Sequence, residues 1–317
     1  MGRLLIFDTS LESPNLGDRI IMESVNDVVG SLFANSRIAR VPTHRFPKRR
    51  ERYLIRMSRL RLVGGTNLLS SNMNSYRQWR LRDRDVAIAS EAVLLGVGWW
   101  QYQEPPDAFT TELLNRLLHP RHLHSVRDSY TEEMLGSAGI INVANTGCPT
   151  LWGLTATHCS QIPTEKAPAV VATVTDYNMR PEDDAVLLHA LNANYREVYV
   201  WAQNKKDFNY ARELLPTVVP LGPTVDAFDL FLQNHDVDYV GTRLHAGIRA
   251  IQRKKRAIVV SIDNRAAEMS KDFGLNTIMR GDLHNLRDMI RSPIVTSIRL
   301  PIAAIEKWQE AISVSAS

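Results

Sequence analysis

Arg243 and His245 stand two positions apart in the run Gly241-Thr242-Arg243-Leu244-His245-Ala246-Gly247. A guanidinium grips a carboxylate or phosphate through two parallel charge-assisted hydrogen bonds. An imidazole moves a proton near neutral pH. The run follows an apolar stretch, Val237-Asp238-Tyr239-Val240, and precedes a helical pattern from Ile248 to Gln252. Both side chains therefore fall where a strand ends and a helix begins. In open α/β sheets ligands collect there, and the helix start adds unpaired N–H groups and a positive dipole end. The chemistry this implies is capture of an anionic substrate with proton transfer. The alternative is an arginine paired with a carboxylate beside a buried, hydrogen-bonded histidine.

Other segments repeat the placement. Asn15, Gly17 and Asp18 lie between a first strand and a first helix, where Gly17 allows close backbone approach. Their other reading is a plain helix start with Asn15 or Asp18 as cap. Gly64, Gly65, Thr66 and Asn67 follow a strand, and the consecutive glycines permit a tight turn whose amides could cradle an anion. Neither a GxxxxGK[ST] nor a GxGxxG pattern is present. Gly96-Val97-Gly98-Trp99-Trp100 is a further glycine turn, its tryptophans suited to a sugar face or to a core, the core being the better reading. Ser125-Val126-Arg127-Asp128 puts a second arginine at a strand end, with Asp128 as an available partner. Cys148 reads as a buried structural thiol, since a nucleophile needs a lowered pKa.

The elements that must position these residues alternate between strand and helix. Leu4–Phe7 reads as a strand and residues 17–33 as a helix with Ile20, Ile21, Val25, Val28, Val29 and Leu32 on one face. Arg61–Gly64, Val86–Val97, Leu123–Val126 and Ile140–Val143 read as further strands, with a helix opening at Ser129 through a capping box. Residues 155–168 lose periodicity and carry Pro163 and Pro168, which sets a boundary. From Ala169 the alternation is regular, and a last helix spans Ile302–Ile312. The fold class expected is α/β: two doubly wound Rossmann-like domains facing a cleft. Residues 1–155 form the first, residues 165–300 the second and residues 301–317 a C-terminal helix.

The bulk numbers fit that plan. A chain of 317 residues, 44% hydrophobic and 23% charged, suits two globular domains. No apolar run approaches the roughly 20 residues that span a bilayer, and the N-terminus reads as a strand rather than a signal peptide. Cys148 and Cys159 form no zinc spacing. A cytoplasmic, metal-free protein is expected. The net charge of +4 is unevenly spread, with eight basic residues against one acid over residues 45–61. Arg249, Arg253, Lys254, Lys255 and Arg256 form a second basic group. Such clusters suit lipid head groups, pyrophosphates or nucleic acid, or are simply solvated.

Taken in order, the Asn15-Leu16-Gly17-Asp18 turn, the Gly64-Gly65-Thr66-Asn67-Leu68 turn, Ser125-Val126-Arg127-Asp128 and Gly241 to Ile251 resemble the polysaccharide pyruvyl transferase family. The likeness runs from about residue 15 to about residue 275, and the Arg243-Leu244-His245 element is its most specific part. It implies a fold like that of GT-B glycosyltransferases and transfer of a pyruvyl group from phosphoenolpyruvate to a sugar of an exopolysaccharide or cell-surface glycan, as a ketal. Arg243 and His245 would then be catalytic. Arg127, Asn15, Gly17, Asp18, Gly64, Gly65, Thr66, Asn67, Thr242 and Arg265 would bind donor or substrate. Two positions depart from the family pattern: Thr66 replaces a usual third glycine, and Arg265 stands near where a lysine is often found.

The resemblance implies no resident cofactor and no metal, phosphoenolpyruvate being the donor substrate. The acceptor would be a glycan, with a lipid-pyrophosphate-linked oligosaccharide as one form. The first domain would take the acceptor side and the second the donor side. Residues 45–61 would touch an anionic membrane at its inner face, and nucleic acid is not an expected partner. Two other classes share part of these features: a GT-B glycosyltransferase using a nucleotide sugar, and a binding module for acidic glycans or nucleic acid acting through residues 45–61.

Overall fold

The computed structural model describes residues 3–175 and 177–314. Met1, Gly2, Asp176 and residues 315–317 lie outside the described residues, and with them the ends of the first and last expected segments. The chain divides into two compact units. The first runs to Trp152 and takes the chain back from Leu300; the second spans Gly153–Arg299.

In the first unit the elements are β1 (Arg3–Asp8), α1 (Leu16–Leu32), β2 (Arg37–Pro42), α2 (Arg49–Arg56), β3 (Leu60–Gly64), α3 (Asp83–Ala89), β4 (Ala92–Leu95), α4 (Ala108–Leu117), β5 (His124–Val126), α5 (Ser129–Ser137) and β6 (Val143–Asn145). All paired strands are parallel, in the order β2-β1-β3-β4. A separate β5-β6 pair continues beyond β4 through the bridge Val97–Val126 and the Gly96 N–H to Ser125 carbonyl bond of 3.0 Å. Central strands are buried on both faces, so Leu4, Leu5, Ile6 and Phe7 form an unbroken apolar run. The edge strand β2 is exposed at its start and buried at its end.

After the short helix α6 (Ala156–Cys159), the second unit reads β7 (Ala169–Thr173), α7 (Pro181–Asn194), β8 (Glu197–Val200), α8 (Lys205–Leu214), β9 (Val219–Pro220), α9 (Val225–Asn234), β10 (Val237–Gly241), α10 (Leu244–Gln252), β11 (Ala257–Ser261), α11 (Asn264–Phe273), β12 (Thr277–Met279) and α12 (Leu286–Arg291). The parallel order β9-β8-β7-β10-β11-β12 reverses direction between β7 and β10. That reversal is the topological switch point of a dinucleotide-type sheet. The last helix, α13 (Ile302–Val314), returns to the first unit, where Trp308 meets Trp152 edge-to-face at 6.0 Å.

Three expectations need correction. The apolar run Val86–Val97 is not one strand: α3 ends at Ala89, Glu91 turns with φ of 62°, and only Ala92–Leu95 is extended. Short apolar runs do not reveal by periodicity which kind of element they form. The strand expected at Ile140–Val143 lies three residues later, at Val143–Asn145. The helix expected to start through a Ser129 capping box is instead capped by Asp128, whose carboxylate accepts the Thr131 N–H at 2.8 Å. The elements β2, α2, α4 and α6 were not read from the sequence; in β2 and α2 the arginines hide the apolar positions.

Candidate functional site

In the second unit, the switch point collects the end of β7, the end of β10 and the start of α10. Gly241 lets the strands close up, since a Cβ there would lie 2.3 Å from Thr173 Oγ1 and 2.6 Å from Thr173 N. Thr173 then serves both strand ends. Its carbonyl accepts the Thr242 N–H at 3.0 Å and the Thr242 hydroxyl at 3.2 Å, and its hydroxyl accepts the Arg243 N–H at 3.2 Å. The buried Tyr239 hydroxyl lies 2.6 Å from Thr173 Oγ1 and donates to the Arg243 carbonyl at 2.8 Å. Burial pushes the Tyr239 phenol pKa well up, so it stays a neutral donor.

Arg243 is the N-cap residue of α10 and is 8% exposed. Its Nη2 donates to Asp207 Oδ2 at 2.5 Å, and its guanidinium lies 5.5 Å from the centre of the Tyr177 ring. Its Nε has no hydrogen-bond partner among the described residues. The alternative raised by the sequence is thus partly realised: Arg243 does hold a carboxylate, but a buried one at the start of α8. His245, 6% exposed, sits in the first turn of α10. Gly247 lets this helix press on the sheet, because a Cβ would come within 2.5 Å of Val259 Cγ2.

Arg265, at the start of α11, reaches the hydroxyl end of Tyr177. Its Nη2 donates to the Tyr177 hydroxyl at 3.2 Å, and its Nε donates to Asp263 Oδ1 at 3.0 Å. Tyr177 therefore touches two carboxylate-paired arginines, one at its ring and one at its hydroxyl. Asp207, Thr173 and Tyr177 carried no signal in the sequence, since Asp207 lies 36 positions from Arg243.

In the first unit the corresponding reversal lies between β1 and β3. Asn15 caps α1, its Oδ1 accepting the Gly17 N–H at 3.0 Å. Asp18 is buried and receives the Ser13 hydroxyl at 2.6 Å and the Thr66 hydroxyl at 3.0 Å, with His44 Nε2 at 3.7 Å. The Asn15–Asp18 and Gly64–Asn67 turns are thus brought together. Gly65 and Thr66 both adopt left-handed backbone, φ 55° and 56°. A Cβ on Gly65 would fall 2.1 Å from Ile21 Cγ2.

Arg127 extends the same cluster. It is 1% exposed, its Nη1 donates to Asn67 Oδ1 at 2.5 Å and its Nε to Asp128 Oδ2 at 3.0 Å, while Nη2 has no partner among the described residues. Gly98 makes room for it, since a Cβ there would sit 2.3 Å from the guanidinium carbon. Trp99 is fully buried and Trp100 stacks on Tyr76 with ring centres 3.9 Å apart, so the tryptophan pair packs against protein. Cys148 is buried, and burial raises its thiol pKa, as a structural thiol requires.

Thr9 after β1, Thr43 after β2 and Thr175 after β7 are buried hydroxyls with no hydrogen-bond partner among the described residues. Buried polar groups are normally satisfied, so these hydroxyls leave hydrogen-bonding capacity at both carboxyl edges. Among the described residues no His, Cys, Asp and Glu side chains gather as metal ligands would. No helix among them is long and apolar enough to cross a membrane.

Four of the five side chains in the second basic group bind within the fold. Arg249 and Arg253 both bind Asp229, and Lys255 donates to the His235 carbonyl. Arg256 is buried on Asp238 and the carbonyls that end α12. Arg249 and Arg253 tie α10 to α9, and Arg256 ties β10 to the end of α12.

The fold class is α/β and GT-B-like, with two Rossmann-like units. It is shared, as fold alone, with UDP-GlcNAc 2-epimerase from Methanocaldococcus jannaschii, solved with UDP-GlcNAc and UDP (TM-score 0.55, 9% identity, covering 100% of this chain and 99% of that one). The S. aureus MnaA–UDP co-structure gives TM-score 0.53 at 12% identity, covering 98% and 91%. The Neisseria meningitidis UDP-GlcNAc 2-epimerase bound to UDP-GlcNAc gives 0.50 at 13%, covering 100% and 99%. No curated protein matches the sequence. The profile of the family "Polysaccharide pyruvyl transferase" matches residues 15–264, and the chain belongs to that family of transferases.

Proposed function

We propose that the protein transfers a pyruvyl group from phosphoenolpyruvate to two hydroxyls of a glycan sugar, forming a cyclic ketal and releasing phosphate. The observation that carries the reading is Arg243 at the β7–β10 switch point, fixed by Thr173 and Asp207 at the start of α10, within the family match to residues 15–264. A guanidinium held in one orientation clamps a carboxylate or phosphate with little ordering cost, and the helix start favours the same anion. Phosphoenolpyruvate offers both groups.

The chemistry balances without a further reactant. One sugar O–H adds across the enol double bond, its proton reaching the methylene carbon and its oxygen the carbon that bears phosphate. The second sugar oxygen displaces phosphate, which leaves with that hydroxyl's proton. His245 is proposed to carry one of these protons, a role worth about 10²–10⁴-fold. Arg243, Thr242 and Arg265 are proposed for the donor. Asn15, Gly17, Asp18, Gly64, Gly65, Thr66, Asn67 and Arg127 are proposed for the substrate side, with a glycan on a lipid pyrophosphate as one acceptor form.

A nucleotide-sugar glycosyltransferase is the second reading, favoured by the fold shared with proteins solved with UDP. Thermal shift separates the two. A ligand that binds only the native state stabilises it by about 2.7 kcal/mol at a hundredfold excess over Kd. Phosphoenolpyruvate is expected to raise Tm, and Arg243→Ala to abolish the rise. A rise with UDP-sugars and none with phosphoenolpyruvate would reassign Arg243 to a diphosphate.

A further inference from the structure

The basic stretch of residues 45–61 is not a uniform surface. Arg45 lies between Glu51 and Glu12, with Nη2 at 2.7 Å from Glu51 Oε1 and Nε at 2.8 Å from Glu12 Oε2. Pairing with Glu51, then Glu12, holds its pKa well above the ordinary value. Arg61 turns inward, donating to the carbonyls of Ile55 and Ser90, and burial lowers its pKa. Their charges are spent on the fold.

What remains is concentrated at one place. Arg49, Arg52, Tyr53 and Arg56 follow the i, i+3, i+4, i+7 spacing that puts them on one face of α2. Arg84 and Ile88 of α3, spaced i, i+4, complete the walls of a cavity of about 340 Å³. That volume is at the lower end of the about 300–1,000 Å³ of ligand pockets. Arg52 is anchored by Asp85, fully buried, at 2.6 Å. Arg49, Arg56 and Arg84 are exposed and form no ion pair among the described residues. Four guanidinium groups, one of them neutralised, thus leave three uncompensated charges around one cavity. Asp85 offsets the like-charge contacts that Arg52 makes with Arg49 and Arg56 along α2, and the three remaining charges have no counter-ion around the cavity among the described residues. Tyr53, 59% exposed, and Ile88 supply an apolar wall beside the charges.

We propose that the α2–α3 cavity is a binding site for a diphosphate group carrying an apolar or sugar substituent. Guanidinium forks match phosphate oxygens in pairs, a diphosphate brings the multiple charge that three free arginines balance, and the tyrosine and isoleucine receive the substituent. Arg84 belongs to this site although it lies outside the basic stretch of the sequence. The site shares no residue with the Arg243 region and does not depend on the reaction proposed there.

Isothermal titration with inorganic pyrophosphate tests it at low salt, in the wild type and in Arg243→Ala to silence the other anion site. Saturable binding is expected in both. The double variant Arg56→Gln/Arg84→Gln is expected to weaken it at least tenfold, while Arg50→Gln/Arg59→Gln, which removes the same charge from exposed positions outside the cavity, leaves it within twofold. Absence of pyrophosphate binding, or equal loss in both double variants, would overturn the proposal, the latter because it marks diffuse charge. Flotation with phosphatidylcholine vesicles, with and without a lipid diphosphate, identifies the source of the diphosphate. Flotation lost specifically in Arg56→Gln/Arg84→Gln assigns a membrane-borne group. No flotation alongside saturable pyrophosphate binding assigns a soluble diphosphate.

Discussion

Thr66 holds a left-handed backbone that glycine adopts freely and that costs other residues about 1–2 kcal/mol. Its hydroxyl donates to the buried Asp18 carboxylate at 3.0 Å, a bond to a charged group worth about 1.5–3 kcal/mol. The two terms nearly cancel. Thr66→Gly is therefore expected to change unfolding free energy by no more than about 1 kcal/mol, whereas Thr66→Val, which keeps the strain and loses the bond, destabilises by about 2 kcal/mol. Urea denaturation of both variants checks this, and equal effects would refute it. At the second unit's switch point, Arg243→Lys cannot hold Asp207 and an anion as one planar fork does. It is expected to lower phosphoenolpyruvate affinity at least tenfold. His245→Ala is expected to lower turnover with donor affinity retained; unchanged turnover would make His245 structural. The placement of Arg243, His245 and Arg127 at strand ends was legible, because each follows a short apolar run, while the carboxylate partners of the two arginines were raised only as alternatives. Asp207, Thr173 and Tyr177 were not, because threonine and aspartate at those places look like any strand end or helix start.

At the scale of elements, close approaches decide what the loops can hold. Gly98 follows β4, and its missing side chain is the space that the Arg127 guanidinium fills. Gly98→Ala is expected to cost about 1–3 kcal/mol by overpacking and to turn Arg127 away from Asn67. A midpoint of denaturation unchanged from wild type would show that the neighbouring chain yields instead. The second unit's elements could be read almost completely, since each apolar run there is short and bounded by a polar turn. The first unit was harder. The run Val86–Val97 merged a helix with a strand, because Val86 and Ala89 are buried at helical spacing just before the buried Ala92–Leu95. The helix α2 was hidden by its own arginines, of which only contacts in space separate Arg52, held by Asp85, from the exposed Arg56.

For the whole molecule, the two units carry their clusters at equivalent places, the carboxyl edge of a parallel sheet where strand order reverses. The first unit also carries an acid sensitivity. His124 is fully buried, accepting the Leu94 N–H at Nδ1 (3.3 Å) and placing Nε2 3.0 Å from the His119 carbonyl, an arrangement for the neutral ring. Burial lowers its pKa from 6.5 to about 4. Between those values the unfolded chain binds a proton that the folded chain does not. Stability is therefore fully present above pH 6.5 and falls as pH drops toward about 4, by up to about 3 kcal/mol from this residue. His124→Gln is expected to lower stability at neutral pH and to flatten that slope, which denaturation series at several pH values would read. A slope identical to wild type would place the acid sensitivity elsewhere.

The most direct measurement of the proposed reaction is incubation with phosphoenolpyruvate and a panel of bacterial glycans, following orthophosphate by phosphorus NMR and the glycans by mass spectrometry. One phosphate released per ketal formed is expected, with both signals lost in Arg243→Ala. Consumption of a nucleotide sugar in place of phosphoenolpyruvate, with a sugar rather than a pyruvyl group added, would contradict it.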